Sequence, residues 1–234
     1  MLRKLLPKKI KIQLHLLKNE LSDFKNGYTF KFAKPDINIK FYDHSISIKQ
    51  QLKPNDSKKH NLSLAIEKIE SVEIKPNQIF SFWKIVGNPS KKNGFVESRS
   101  IVDGEIKSTI GGGLCQLSGL IYYISLYANL KILERHNHSL DIYTSETRFT
   151  PLGSDATVAF AYKDLKIKNT LSKPINFQFQ IEEEYLTIVL NHSDQIEKMD
   201  IVFKEKELEN NLIEVFTWLN GKINTKSIYK RHDL

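Results

Sequence analysis

Cysteine is almost absent: among 234 residues there is one, Cys115. That excludes a disulfide framework and any cysteine-rich zinc cluster. Glycine and proline are sparse, at 10 and 7 residues, which excludes fibrous and low-complexity classes. No apolar run approaches the roughly 18 residues that would span a bilayer. The first residues, Met1-Leu-Arg-Lys-Leu-Leu-Pro-Lys-Lys9, are basic but lack an apolar core of signal-peptide length and a small-residue cleavage site. The expectation is a cytoplasmic location, with a peripheral position at the inner membrane face as its variant.

What is present suffices for one globular domain with a small extension: 40% of residues are hydrophobic and 26% charged, with a net charge of +8. The charge is uneven. Residues 1–60 hold 14 Lys or Arg against 5 Asp or Glu, whereas residues 61–234 hold 21 against 22. The body is neutral and the leader is basic. Within the leader, Ile10, Leu14, Leu16, Leu17 and Leu21 recur at helical spacing among Lys8, Lys9, Lys11 and Lys18, which predicts a basic amphipathic helix. Such a helix can pack its leucines on the domain or lie on an anionic membrane surface. No nucleic-acid partner is expected, because the segment lacks a reader motif and interleaved aromatics.

Alternation predicts strands at Tyr28–Phe32, Asn38–Tyr42 and Ile46–Lys49, and Lys53-Pro-Asn-Asp-Ser-Lys-Lys59 reads as a loop. The domain boundary is drawn there, dividing a leader, 1–54, from a domain, 55–234. Asn61 is a candidate cap for a helix carrying Leu62, Ala65, Ile66 and Ile69 and ending before Pro76. Residues 114–129 form the third predicted helix. Thr157–Tyr162, Leu165–Asn169, Ile175–Ile181 and Tyr185–Leu190 read as short strands, and Asn220-Gly221 marks a hairpin. The fold class is therefore α+β, a mixed core around a central helix with an antiparallel β-rich C-terminal part.

The chemically informative stretch is Gly111-Gly-Gly-Leu-Cys-Gln-Leu-Ser118. Gly112 and Gly113 allow a sharp turn and a close approach of substrate, and Cys115 falls in the first helical turn. There the free N–H groups and the helix dipole favour a thiolate nucleophile. The same N–H groups, with the amide of Gln116, can hold an oxyanion. The competing reading is that a lone cysteine is a small buried hydrophobe.

A cysteine nucleophile needs a base. Downstream lies Arg135-His136-Asn137-His138-Ser139, where strand alternation would point His136 and His138 to one face. Further on, Pro151-Leu-Gly-Ser-Asp155 offers a carboxylate to orient a histidine. His136, His138, Asp155 and Cys115 also have suitable atoms for a zinc or iron site, although the spacing is nonspecific and no metal or other cofactor is expected.

Four motifs in order, Phe80-Ser-Phe with Val86-Gly87, Gly111-Gly-Gly-Leu-Cys-Gln-Leu-Ser118, Glu134-Arg-His-Asn-His-Ser139 and Pro151-Leu-Gly-Ser-Asp-Ala-Thr-Val158, resemble the VanW family. Two departures are visible: Pro76-Asn77-Gln78 where the resemblance leads one to expect Pro-Gly-Glu, and Gly119 and Leu120 in place of threonines. The resemblance implies a cell-wall-related protein, and for some members an L,D-transpeptidase that cross-links peptidoglycan stem peptides through a cysteine acyl-enzyme. On that basis Cys115 is the nucleophile and His138 the base, with Asp155 and His136 in support. Gly112, Gly113, Gln116, Ser118, Arg135 and Ser139 are the substrate contacts. The implied partner is a peptidoglycan stem peptide or precursor. Cys115 precedes its histidines, the reverse of the better-known L,D-transpeptidase fold, so shared chemistry would be convergent. A noncatalytic domain binding wall precursors or glycopeptides, and a metal-site protein, are the alternatives.

Overall fold

The computed structural model describes residues 6–36, 42–53, 55–102, 105–141, 148 and 150–231. Its helices are α1 (Lys8–Lys25), α2 (Asp56–Glu70), a short α3 (Phe82–Val86) and α4 (Leu114–Tyr127). The strands are β1 (His44–Gln51), β2 (Glu73–Ile74), β3 (Ile79–Ser81), β4 (Glu97–Val102), β5 (Glu105–Ile110), β6 (Lys131–Glu134), β7 (Leu140–Asp141), β8 (Lys166–Lys168), β9 (Ile175–Ile181), β10 (Tyr185–His192), β11 (Ile201–Leu208), β12 (Leu212–Leu219) and β13 (Lys222–Arg231).

The fold is α+β. Two helices carry the core: α2 buries Leu62, Ala65, Ile66 and Ile69, and α4 buries Leu117, Leu120, Ile121 and Ile124. Both faces follow the helical period, and together they pack on Phe177, Ile188 and Leu190 of the sheet β1-β10-β9-β2. A second sheet, β11-β12-β13-β7, closes over a smaller cluster of Leu152, Ile213, Val215 and Tyr229. A third, β3-β8-β6, leads directly to the histidine segment. β4 and β5 form a separate antiparallel pair. The Asn220-Gly221 hairpin forms as expected, with φ of 44° and 76° at its two turn residues.

Several expectations change. Asn61 does not cap α2. Asn55 does, its side chain accepting from the Lys58 N–H at 2.7 Å, so residues 56–59 of the stretch read as a loop form the first helical turn. Asn61 is instead buried, donating to the Val96 and Gly112 carbonyls and accepting from the Val96 N–H, and so ties α2 to the glycine turn. Residues 29–31 are turns rather than a strand, Phe32 alone making a parallel bridge to Ile79 of β3, and 38–41 lie outside the described residues. Thr157–Tyr162 is irregular too, with Ala161 at φ 69°.

β1 precedes the boundary drawn at residue 54, yet it pairs along its whole length with β10. Of the two readings open for α1, packing of the leucines on the domain does not hold: Ile10, Leu14, Leu17 and Leu21 are exposed, with Leu16 only partly covered. Among the described residues no helix is long and apolar enough to cross a membrane.

Candidate active site

The turn before α4 is shaped by glycine at each position. Gly111 and Gly113 adopt φ of 79° and 100°, in the left-handed region that side chains resist. Gly112 is needed for space: a Cβ there would lie 2.2 Å from the Ser98 carbonyl oxygen in β4. Gly112→Ala should therefore push β4 off the turn and destabilise the fold by about 1–3 kcal/mol. Urea unfolding checks this, and an unchanged midpoint would show that the turn does not depend on the close approach.

The turn delivers Cys115 to the first turn of α4. Among the described residues, the N–H of Gln116 is bonded to the Gly113 carbonyl, while those of Gly113 and Cys115 have no backbone acceptor. Those two N–H groups are thus not used by the backbone of the turn, and oxyanion stabilisation would call on such donors.

His138 lies between β6 and β7, outside any strand. Its Nδ1–H donates to Asp155 Oδ2 at 2.7 Å, and its own backbone N–H donates to the same oxygen at 2.7 Å. The imidazole also interacts with the Cys115 side chain, which helps to raise its proton affinity. The Cys115 sulfur also lies 3.6 Å from the Val158 carbonyl oxygen. The fold therefore brings Cys115 and the bonded His138–Asp155 pair to one cavity.

Asp155 is held from behind by Arg135. The guanidinium donates to Asp155 Oδ1 at 2.9 Å, to the Asp155 carbonyl at 2.8 Å and to the Gly153 carbonyl at 3.1 Å. It also bonds Ser227 and Tyr229 and stacks over Tyr122 at 4.9 Å. The Tyr229 hydroxyl donates to Asp155 Oδ1.

These contacts decide the charges. Burial disfavours the Asp155 carboxylate, but the hydrogen bond from His138 and the Arg135 charge outweigh it and hold the carboxyl well below its usual range. Burial likewise disfavours the His138 imidazolium. The bonds to Asp155 and Cys115 win, and its pKa is pushed up to about 10.

The remaining expected residues divide. Gly113 and Gln116 line the cavity beside Cys115. The Gln116 amide, however, donates to the Gln51 carbonyl at 2.9 Å and to Gln50 Oε1 at 3.1 Å, so it faces β1 rather than an oxyanion. Ser118 is turned into the core, where its hydroxyl donates to the Ala156 carbonyl at 2.6 Å and clamps the Asp155 segment onto α4. Arg135 is 6% exposed and holds Asp155 rather than meeting substrate. Gly112 is covered by β4, and Ser139 is exposed away from the cavity.

His136 belongs to another network. It bonds Glu134 at 3.1 Å, and Glu134 pairs with Lys166 at 3.1 Å. Burial disfavours the Glu134 carboxylate, yet these partners bring its pKa down to about 2. The separation of His136 from His138 removes the four-ligand metal set that spacing allowed. Among the described residues no group of three or more His, Cys, Asp or Glu side chains is arranged to hold a metal.

The cavity in front of Cys115 measures about 780 Å³. Aromatic side chains, Trp83, Tyr123, Phe160 and Tyr162, line it together with the cations Lys58 and Arg99. Lys58 lies over the glycine turn, and burial together with the charges of Arg99 and Lys53 pushes its ammonium pKa down to about 8. An anionic group on a ligand would relieve that crowding. Lys58, Arg99 and Tyr229 were not singled out from the sequence. The alternation of β13 marks Tyr229 as inward-facing, but nothing local ties it to Asp155.

A family profile described as VanW like protein matches residues 57–191. The uncharacterized protein YoaR of Bacillus subtilis is 32% identical over 142 residues, covering 61% of this chain and 45% of that protein. The vancomycin B-type resistance protein VanW of Enterococcus faecalis is 30% identical over 141 residues, covering 60% of this chain and 50% of its own. The chain thus matches about half the length of these curated relatives. No solved structure matches.

Proposed function

Since the chain belongs to the VanW family, we propose that it is a cysteine-dependent acyltransferase of L,D-transpeptidase type acting on peptidoglycan peptides or precursors. The observation that carries this reading is the meeting of Cys115 with the hydrogen-bonded His138–Asp155 pair in the lining of a cavity of about 780 Å³. The Enterococcus relative has vancomycin resistance in its name, which supports a cell-wall peptide as substrate.

In this reading the Cys115 proton already rests on His138, in keeping with the raised basicity of that imidazole, and the Cys115 sulfur attacks a peptide carbonyl. The carbonyl oxygen gains negative charge between the N–H groups of Gly113 and Cys115. The imidazolium returns its proton to the departing amine, and the C–N bond breaks to leave a thioester. A second amine then attacks the thioester, loses its proton to His138, and the Cys115 sulfur leaves as the anion beside the imidazolium, restoring the starting pair. Asp155 fixes the tautomer that aims the free ring nitrogen at sulfur. Lys58 and Arg99 suit an acyl donor carrying a free carboxylate.

The test is incubation with a muropeptide followed by chromatography of the products. Wild type should release the terminal amino acid and form a new amide, and Cys115→Ala should do neither. Tight muropeptide binding without turnover, unchanged in Cys115→Ala, would instead identify a noncatalytic binder.

A further inference from the structure

Helix α1 presents its apolar side to solvent. Ile10, Leu14, Leu17, Leu21 and Phe24 alternate at spacings of four and three, which aligns them in one stripe, and they are between 42% and 68% exposed. Just beyond the helix, Phe30 is 93% exposed. The face toward the domain is the polar one. Asp23 is buried in an ion pair with Lys166 at 2.6 Å, Asn19 donates to the Ala161 carbonyl at 3.0 Å, and His15 packs on Tyr162 at 4.4 Å between ring centroids. Ionic contacts thus fix the helix with its hydrophobic stripe outward, an arrangement that water penalises and a partner surface would relieve.

The charges beside the stripe choose between occupants. Lys18 and Lys25 sit seven residues apart along one edge, both exposed, and Lys8 and Lys9 are exposed at the N-terminal end. The acidic residues of the helix are Glu20, exposed, and Asp23, which is already paired. A second copy of α1 would bring lysine edges together, whereas anionic headgroups complement them.

We propose that the outer face of α1, with Phe30, is a docking surface for an anionic lipid bilayer, the apolar stripe entering the headgroup boundary and Lys18 and Lys25 meeting lipid phosphates. His15 of this helix stacks on Tyr162, which lines the Cys115 cavity, so docking brings the cavity beside the lipid surface.

The test is co-sedimentation of the full chain with phosphatidylcholine vesicles, with and without phosphatidylglycerol. Binding should be at least about tenfold stronger to the anionic vesicles and should weaken with salt. The paired change Leu17→Glu and Leu21→Glu should reduce that binding by about tenfold or more. Lys18→Glu with Lys25→Glu should remove the preference for phosphatidylglycerol. Unchanged circular dichroism shows that these surface variants remain folded. Binding that is equal on both vesicles, absent, or indifferent to the leucine changes would overturn the proposal. So would lipid-free dimerisation, seen by light scattering and abolished by the leucine changes, which would assign the stripe to a second copy.

Discussion

Asp155→Ala is expected to cost about 3–5 kcal/mol of folding stability, because it removes one member of a buried ion pair and leaves the other unmatched. Arg135, at 6% exposure, would keep its charge without the carboxylate that 2.9 Å contact now supplies. The Tyr229 hydroxyl and the His138 backbone N–H would lose the same acceptor. Urea unfolding measures the effect, and a loss below about 1 kcal/mol would place the charge pair among weak surface bridges. The pH dependence follows from the shifts. Asp155 is held below its ordinary value of 3.8, so its share of stability is complete above about pH 4 and fades as the pH falls. His138 is raised from 6.5 to about 10, so its share is complete below about 6.5 and is lost as the pH rises toward 10. Wild type should be steadiest between those limits, and Asp155→Ala should flatten both limbs.

His138→Gln is expected to slow formation of the acyl-enzyme by about 10²–10⁴-fold while leaving the fold in place. Glutamine can still donate toward Asp155, but it can neither take the thiol proton nor protonate the departing amine. In wild type the alkaline limb of turnover should fall near the raised value of about 10, where the imidazolium is lost. Single-turnover kinetics across pH reads both effects. A variant with near-normal acylation would remove His138 from the reaction and leave it a positioning residue.

Legibility in the sequence followed the range of the forces involved. β9 spans Ile175–Ile181 as read, because strict alternation and burial agree there. α4 starts at Leu114 as read, because the glycine turn leaves little choice. Asn55 and Asn61 share the same local capping chemistry, and only the contacts of Asn61 with Val96 and Gly112 separate them. The Thr157–Tyr162 alternation misleads because Ala161 takes a positive φ and the segment forms the cavity wall instead of pairing. At the site, Cys115, His138 and Asp155 were recoverable from motif chemistry. The division between His136 and His138 was not, since it depends on Lys166 and Glu134 meeting across two strands. Arg135 was expected as a substrate contact from its place in the histidine motif, yet its guanidinium is taken up by Asp155 and by residues far along the chain. Its partners Ser227 and Tyr229 lie more than 90 residues away.

The central claim is that Cys115 is an acylated nucleophile. Intact-mass analysis after incubation with a muropeptide or a carbapenem-type acylating probe tests it most directly. Wild type should gain the mass of one acyl group, and Cys115→Ala, shown to be folded, should gain none. An adduct that persists in Cys115→Ala, or a wild type that binds the muropeptide and stays unmodified, would contradict the account.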